Sequence, residues 1–143
     1  MNKAVLITLA ILSGGAAAQT SPTPCEREAD AKLGEMWSAT SIAGSVTYTK
    51  LMNRAVACMQ GGRCSKPEAL VHMAELMVDD QVIEVQRKKV AIMKRMVEEV
   101  RRSSDICKIA PQVTEIMAEI VSLNAQQLSR MEELSVQFYP GAK

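Results

Sequence analysis

Aromatic side chains are almost absent from this sequence: one Trp, two Tyr and one Phe in 143 residues. With so few, no aromatic cluster is available to hold a substrate ring. A surplus of charge is missing as well, because 17 Lys and Arg face 16 Asp and Glu. A nearly neutral chain lacks the basic excess that holds a phosphate backbone, which argues against nucleic acid as the main partner. There is one histidine, His72, and no C-x-x-C pair. A zinc site built on such pairs or on clustered imidazoles is therefore not expected. No catalytic motif and no cofactor fingerprint occurs, so no catalytic residue, metal or cofactor is assigned. No stretch alternates in the manner of a β-strand.

Long apolar runs are also lacking, with one exception at the start. Lys3 precedes an apolar run from Ala4 to Leu12, and Ala16 and Ala18 form an A-x-A site. These are the three parts of a secretory signal peptide, predicted over residues 1–18 with cleavage before Gln19. The run is too short to anchor stably in a bilayer, and no lipobox precedes Cys25. The short basic segment points to a bacterium. The expected location is the periplasm, or the secreted or cell-surface fraction, with no transmembrane segment after cleavage.

The remaining residues suit one domain. Residues 19–24 read as an extended lead, 25–139 as a helical domain and 140–143 as a tail. Four cysteines, Cys25, Cys58, Cys64 and Cys107, remain. An even number in a small exported domain reads as two disulfides.

Three helical segments follow from apolar spacing. The first runs from about Glu26 to Met59, with Leu33, Met36, Trp37, Thr40, Ala43, Leu51, Met52, Ala55 and Met59 on one face. Gly34 and Gly44 weaken it, which allows a break near Ser41 to Ser45, and Gly61-Gly62 ends it. The second begins at a capping box, Ser65 to Glu68. It extends to about Arg102 through Leu70, Met73, Met77, Val78, Val82, Val85, Ile92, Met93, Met96 and Val100. The third starts near Pro111 and stops before Pro140-Gly141. Its stripe of Val113, Ile116, Met117, Ile120, Leu123, Leu128, Met131, Leu134 and Phe138 is interrupted by Asn124 and Gln127. The expected fold is all-α: an elongated antiparallel bundle of three helices, or four if the first breaks.

Cysteine spacing and charge both favour folding the first two helices into an antiparallel hairpin. Cys25 opens the first helix and Cys58 closes it; Cys64 opens the second and Cys107 follows it. At about 1.5 Å per residue, folding back at Gly61-Gly62 brings Cys58 to Cys64 and Cys25 to Cys107. Sequence alone leaves three pairings open, and these two pairs are preferred. Both helices are acidic early and basic late, so antiparallel packing would set opposite charges side by side.

Several groups invite a sharper reading. The basic run from Arg87 to Arg102, with Lys88, Lys94, Arg95 and Arg101, could hold anionic lipid or an acidic partner. Hairpin charge matching already accounts for it as a solvated face. These residues, with Asn124 and Gln127, are the candidate partner-binding set. His72, Met73 and Met77 could form a soft copper site, though core packing explains the methionines. Asp79, Asp80 and Glu84 could be paired acids, but adjacent helix residues point apart. Trp37 and Tyr48 could anchor a partner, with core burial the more common use of a lone Trp. Arg54, Lys88 and Arg95 could converge on a dianion, as in a secreted helical chorismate mutase.

Leu123-Asn124-Ala125-Gln126-Gln127-Leu128-Ser129-Arg130-Met131-Glu132-Glu133-Leu134 resembles the Gln-rich terminal helix of minor pilus subunits in type IV secretion and conjugation systems. The resemblance covers that stretch alone. It implies an exported, elongated helical bundle that works by contact with other envelope proteins. This chain is shorter, and its four cysteines stand outside that pattern.

Together these features predict a non-enzymatic envelope protein that binds another envelope or secreted protein, as an accessory or surface component of a secretion or conjugation apparatus. Self-association is left open. The alternatives are a periplasmic inhibitor, such as an immunity protein against a toxin or hydrolase, a chorismate mutase-like enzyme, and a holdase with exposed apolar surface.

Overall fold

A computed structural model describes residues 21–141. The expected signal peptide, the first two residues of the lead and the end of the tail lie outside the described residues. The described chain is all-helical, in four helices: α1 (Pro24–Gln60), α2 (Lys66–Val78), α3 (Asp80–Arg102) and α4 (Ile106–Phe138).

Each start is set locally. Thr23 caps α1 and forms a capping box with Glu26, whose carboxylate accepts from the Thr23 N–H. Ser65 and Glu68 make the expected capping box at α2. Asp105 caps α4 by accepting from the Cys107 N–H at 3.1 Å. That cap starts α4 before Pro111, which lies inside the helix rather than at its first turn. Pro111 is exposed, so solvent can satisfy the carbonyl its missing N–H leaves free. The end of α1 is a Schellman turn: Gly62 takes φ +65°, its N–H donates to Met59 O, and Arg63 N–H donates to Cys58 O. A residue with a Cβ is disfavoured at that φ.

The helix count of four arises differently from expectation. α1 is continuous through Ser41–Ser45, and the break falls at Asp79 in the second segment. Asp79 adopts an extended conformation, φ −56° and ψ 133°. Its carboxylate accepts from the N–H groups of Gln81 and Val82 at 3.1 and 3.2 Å, so it caps α3. The Arg130 guanidinium donates to both of its oxygens, at 3.2 and 2.9 Å. The Arg130 hydrogen bond is the largest influence holding the Asp79 carboxyl below its ordinary range, aided by the two backbone donors against some burial.

The sign of this linkage fixes a prediction. The folded-state value lies below the unfolded one, so the stabilisation is complete above the ordinary aspartate range of about 3.9. It is lost as pH falls through the lowered folded value. Asp79→Asn keeps a capping side chain but removes the charge. The variant should melt below the wild type at neutral pH, and the gap should close on acidification below about pH 4. A gap that persisted unchanged would sink this account.

α4 is the central element. α1 and α3 both pack along it. α1 runs parallel to α4 in a constant register: Cys25 meets Cys107, Lys50 meets Glu132 and Arg54 meets Ser135. α3 runs antiparallel to it, with Arg95 at Glu119 and Lys89 at Asn124. The disulfides are Cys25–Cys107 and Cys58–Cys64, with Cα separations of 5.9 and 5.5 Å. These are the pairs that helix length favours, and they suit an oxidising, extracytoplasmic compartment. No helix among the described residues is long and apolar enough to cross a membrane.

The expected hairpin pairing of the first two segments needs correction. α1 touches α2 near the turn, but no Cα of α1 comes within 8 Å of one in α3. Charge matching goes to α4 instead. Lys50 and Arg54 pair with Glu132, and Arg95 pairs with Glu119.

The core is layered along α4. Ile109, Val113, Ile116, Met117 and Ile120 form one cluster, against Leu33 and Met36 of α1 and Ile92, Met93 and Met96 of α3. Leu51, Leu76, Val82, Met131 and Leu134 form a second. Ala55, Cys58, Ala69 and Tyr139 close the far end, where the Tyr139 hydroxyl donates to Ala69 O at 2.8 Å. Asn124 and Gln127 fall between the first two clusters. They are half-buried, and both accept hydrogen bonds from Lys89.

Candidate functional site

Two features of α1 and α3 stand open to solvent among the described residues. The first is the middle of α1. From Met36 to Thr49 there is no Asp, Glu, Lys or Arg. Ala29, Thr47, Leu51 and Ala55 turn inward. The other sides carry Trp37, Ile42, Val46 and Tyr48 into solvent, at 58, 63, 51 and 55 % exposure. The expectation that Trp37 belongs to the core is thus overturned: its side of the helix faces the gap between α1 and α3, where no helix covers it. A helix apolar on several sides is ordinarily buried on several sides. Gly44 sits in the same stretch and Gly34 just before it, and a Cβ at either would meet nothing within 4 Å among the described residues. Their helix-weakening effect, about 1 kcal/mol each against Ala, is therefore not offset by any close approach among the described residues.

The second feature is the groove left where α1 and α3 stay apart. It encloses about 640 Å³, with Trp37 and Thr40 on the α1 side and Val90, Met93 and Val97 on the α3 side. Ile120 and Asn124 of α4 lie along it, and Lys94, Glu98 and Arg101 also border it. The Lys89 ammonium reaches its floor and donates to Asn124 Oδ1 at 3.2 Å and Gln127 Oε1 at 2.8 Å. Burial pushes the Lys89 ammonium below its ordinary range.

The structure divides the candidate partner-binding set. Lys94, Arg101 and Asn124 share the groove. Lys88 and Arg95 lie on the other side of α3 beside Glu119, where Arg95 is paired at 3.0 Å and Lys88 sits 3.7 Å from Glu84. Arg87 and Gln127 line a separate hollow with Met77 and Val82. Lys89, which the sequence shows only as one member of the basic run, proves to be a half-buried cation. Its signal was the interruption of the α4 stripe at Asn124 and Gln127.

The remaining candidates have structural surroundings. His72 stacks on Phe138 with ring centroids 4.9 Å apart, and its Nδ1 lies 2.9 Å from Glu75 Oε2. Met73 packs against the core while Met77 is exposed. No group of three or more His, Cys, Asp or Glu able to hold a metal occurs among the described residues. Asp79 is occupied by Arg130, and Asp80 is exposed. Arg54 meets α4 at Glu132 and Ser135, whereas Arg95 meets it at Glu119. At about 1.5 Å per residue, some 20 Å of helix separates those two points, so Arg54, Lys88 and Arg95 do not converge on one ligand.

Comparison with protein-family models, with curated proteins and with solved structures finds no match for this chain.

Proposed function

We propose that this chain is an exported, non-enzymatic protein-binding module of the bacterial cell envelope that presents the middle of α1 to a partner protein. The observation that carries the reading is the uncharged, exposed stretch from Met36 to Thr49, with four large apolar or aromatic side chains more than half exposed. Ile42 and Val46 lie one turn apart on one side of α1 and Trp37 and Tyr48 on another. Exposed apolar surface of this kind marks a contact site more often than a solvated face, and Trp and Tyr are frequent anchors of such contacts. Two disulfides hold the helix that bears it, as suits a periplasmic or surface location. The likeness of Leu123–Leu134 to pilus-subunit helices favours an accessory or surface role in a secretion or conjugation apparatus.

The test is site-specific photocross-linking in the producing bacterium. A photoreactive residue at Ile42 is expected to give an adduct with an envelope protein. The same group at Lys108, exposed at the far end, should give none. Val46→Asp should reduce the Ile42 adduct at least tenfold, while changing stability by no more than about 0.5 kcal/mol because the site is exposed. Equal labelling from Ile42 and Lys108, or none, would refute the proposal. An adduct with a toxin or hydrolase would replace the apparatus role by the inhibitor role, and one with a second copy by a self-assembling subunit.

A further inference from the structure

The groove between α1 and α3 differs in character from the open face of α1. Its walls are apolar, yet a cation stands at its floor. Lys89 donates to two neutral amide oxygens, and it forms no ion pair among the described residues. An ammonium has three N–H donors, so one remains for a ligand. A half-buried cation without a counter-ion is a costly arrangement, relieved when an anion arrives. Val90, Met93 and Val97 run away from Lys89 along one wall, Ile120 lies along α4, and Trp37 overhangs from α1. Arg101 and Lys94 add positive charge at the border against the single carboxylate of Glu98. A groove of about 640 Å³ falls within the range of small-molecule sites, roughly 300–1,000 Å³.

We propose that this groove binds a single-chain amphiphile with an anionic head, its carboxylate or phosphate on Lys89 and its hydrocarbon chain against Met93, Val97 and Trp37. A free fatty acid and a lysophospholipid-type phosphate share this chemistry, since both offer an anion on one aliphatic chain. A partner helix is the less favoured occupant, because Lys89 sits at the floor of the groove rather than on its rim. The groove shares Trp37 and Thr40 with the α1 stretch, but Ile42 and Val46, on which the test of the contact face rests, are not among the residues lining it.

The chain contains its own reporter, because Trp37 is its only tryptophan. Titration of the oxidised, delipidated protein with palmitate, kept below its micelle concentration, is expected to shift Trp37 emission to shorter wavelength and to saturate. Hexadecanol, which has the same chain without the anion, should bind about tenfold more weakly or worse, the loss expected for a charged hydrogen bond. Lys89→Met should weaken palmitate to a similar extent and leave hexadecanol unchanged. Lys88→Met, on the opposite side of α3, should alter neither. Hexadecyl phosphate separates the two head groups: tighter binding than palmitate assigns the site to phosphate lipids, and weaker binding assigns it to fatty acids. No change in Trp37 emission with either anion would overturn the proposal, as would equal binding of palmitate and hexadecanol by the wild type. The hexadecanol comparison decides the matter even if the Lys89 variant folds poorly.

Discussion

Replacing Cys25 and Cys107 together by Ser is expected to lower the free energy of unfolding by about 4.5 kcal/mol, from the loop-closure entropy of a bridge of this span. The bridge joins residues separated by 82 positions, whereas Cys58–Cys64 spans 6. The entropy removed from the unfolded chain grows with the logarithm of the loop, so the shorter bridge contributes only about 2 kcal/mol. Small domains have total stabilities of about 5–15 kcal/mol, and the long bridge is thus a large share of the whole. The native state gives a second reason. At this end α1 is held to α4 through Ala29, Leu33 and Met36, and only Ala29 of the three is buried. Without the disulfide the first turns of α1 should detach before the rest unfolds. Urea denaturation of the two double-Ser variants measures the difference, and amide exchange over residues 26–36 locates it. Equal losses for the two bridges would show that loop entropy is not what the Cys25–Cys107 bond supplies.

What the sequence disclosed follows from the range of each signal. The Ser65–Glu68 capping box acts within four residues and was readable. Thr23 and Glu26 carry the same pattern, but Pro22 and Pro24 masked it as an extended lead. Asp105 set the start of α4 where Pro111 had suggested one, since a capping carboxylate outweighs an exposed proline in the second turn. The Asp79 break could not be read. Aspartate is unremarkable in a helix, the apolar stripe continues through it, and its partner Arg130 is 51 residues away. The parting of α1 from α3 was hidden for a related reason: the basic ends of both helices can match carboxylates on either neighbour, and Glu119 and Glu132 took that part. Trp37 and Lys89 lost their ordinary readings, a core aromatic and a surface lysine, as a consequence. Both border the gap that opens when α1 and α3 separate, and no local pattern encodes a gap.

Leu70 and Leu76 lie on α2 a little under two turns apart and about 120° apart round the helix. The expected apolar stripe held Leu70 and passed over Leu76, and truncation should separate them sharply the other way. Leu76→Ala is expected to cost about 3 kcal/mol, within the 2–5 kcal/mol usual for a buried leucine. Leu70→Ala should stay within about 0.5 kcal/mol. Leu76 has 0 % of its surface exposed and Leu70 has 63 %. The difference reflects what each meets. Leu76 packs in the cluster of Leu51, Val82, Met131 and Leu134, to which all four helices contribute a residue. It lies just before the Asp79 break, so its side chain ties α2 to α1 and α4 where the chain changes direction into α3. A cavity there removes contacts from every helix at once, and the long, thin bundle has little neighbouring mass with which to collapse it. Leu51→Ala, on the opposite side of the same cluster and equally buried, should match Leu76→Ala. Because the two side chains share one cluster, the double variant should fall short of the sum of the singles. Urea midpoints of the three single variants and the double decide the point. A cost at Leu70 comparable to that at Leu76 would mean that α2 has a covered outer face, and that its partner is already present in solution.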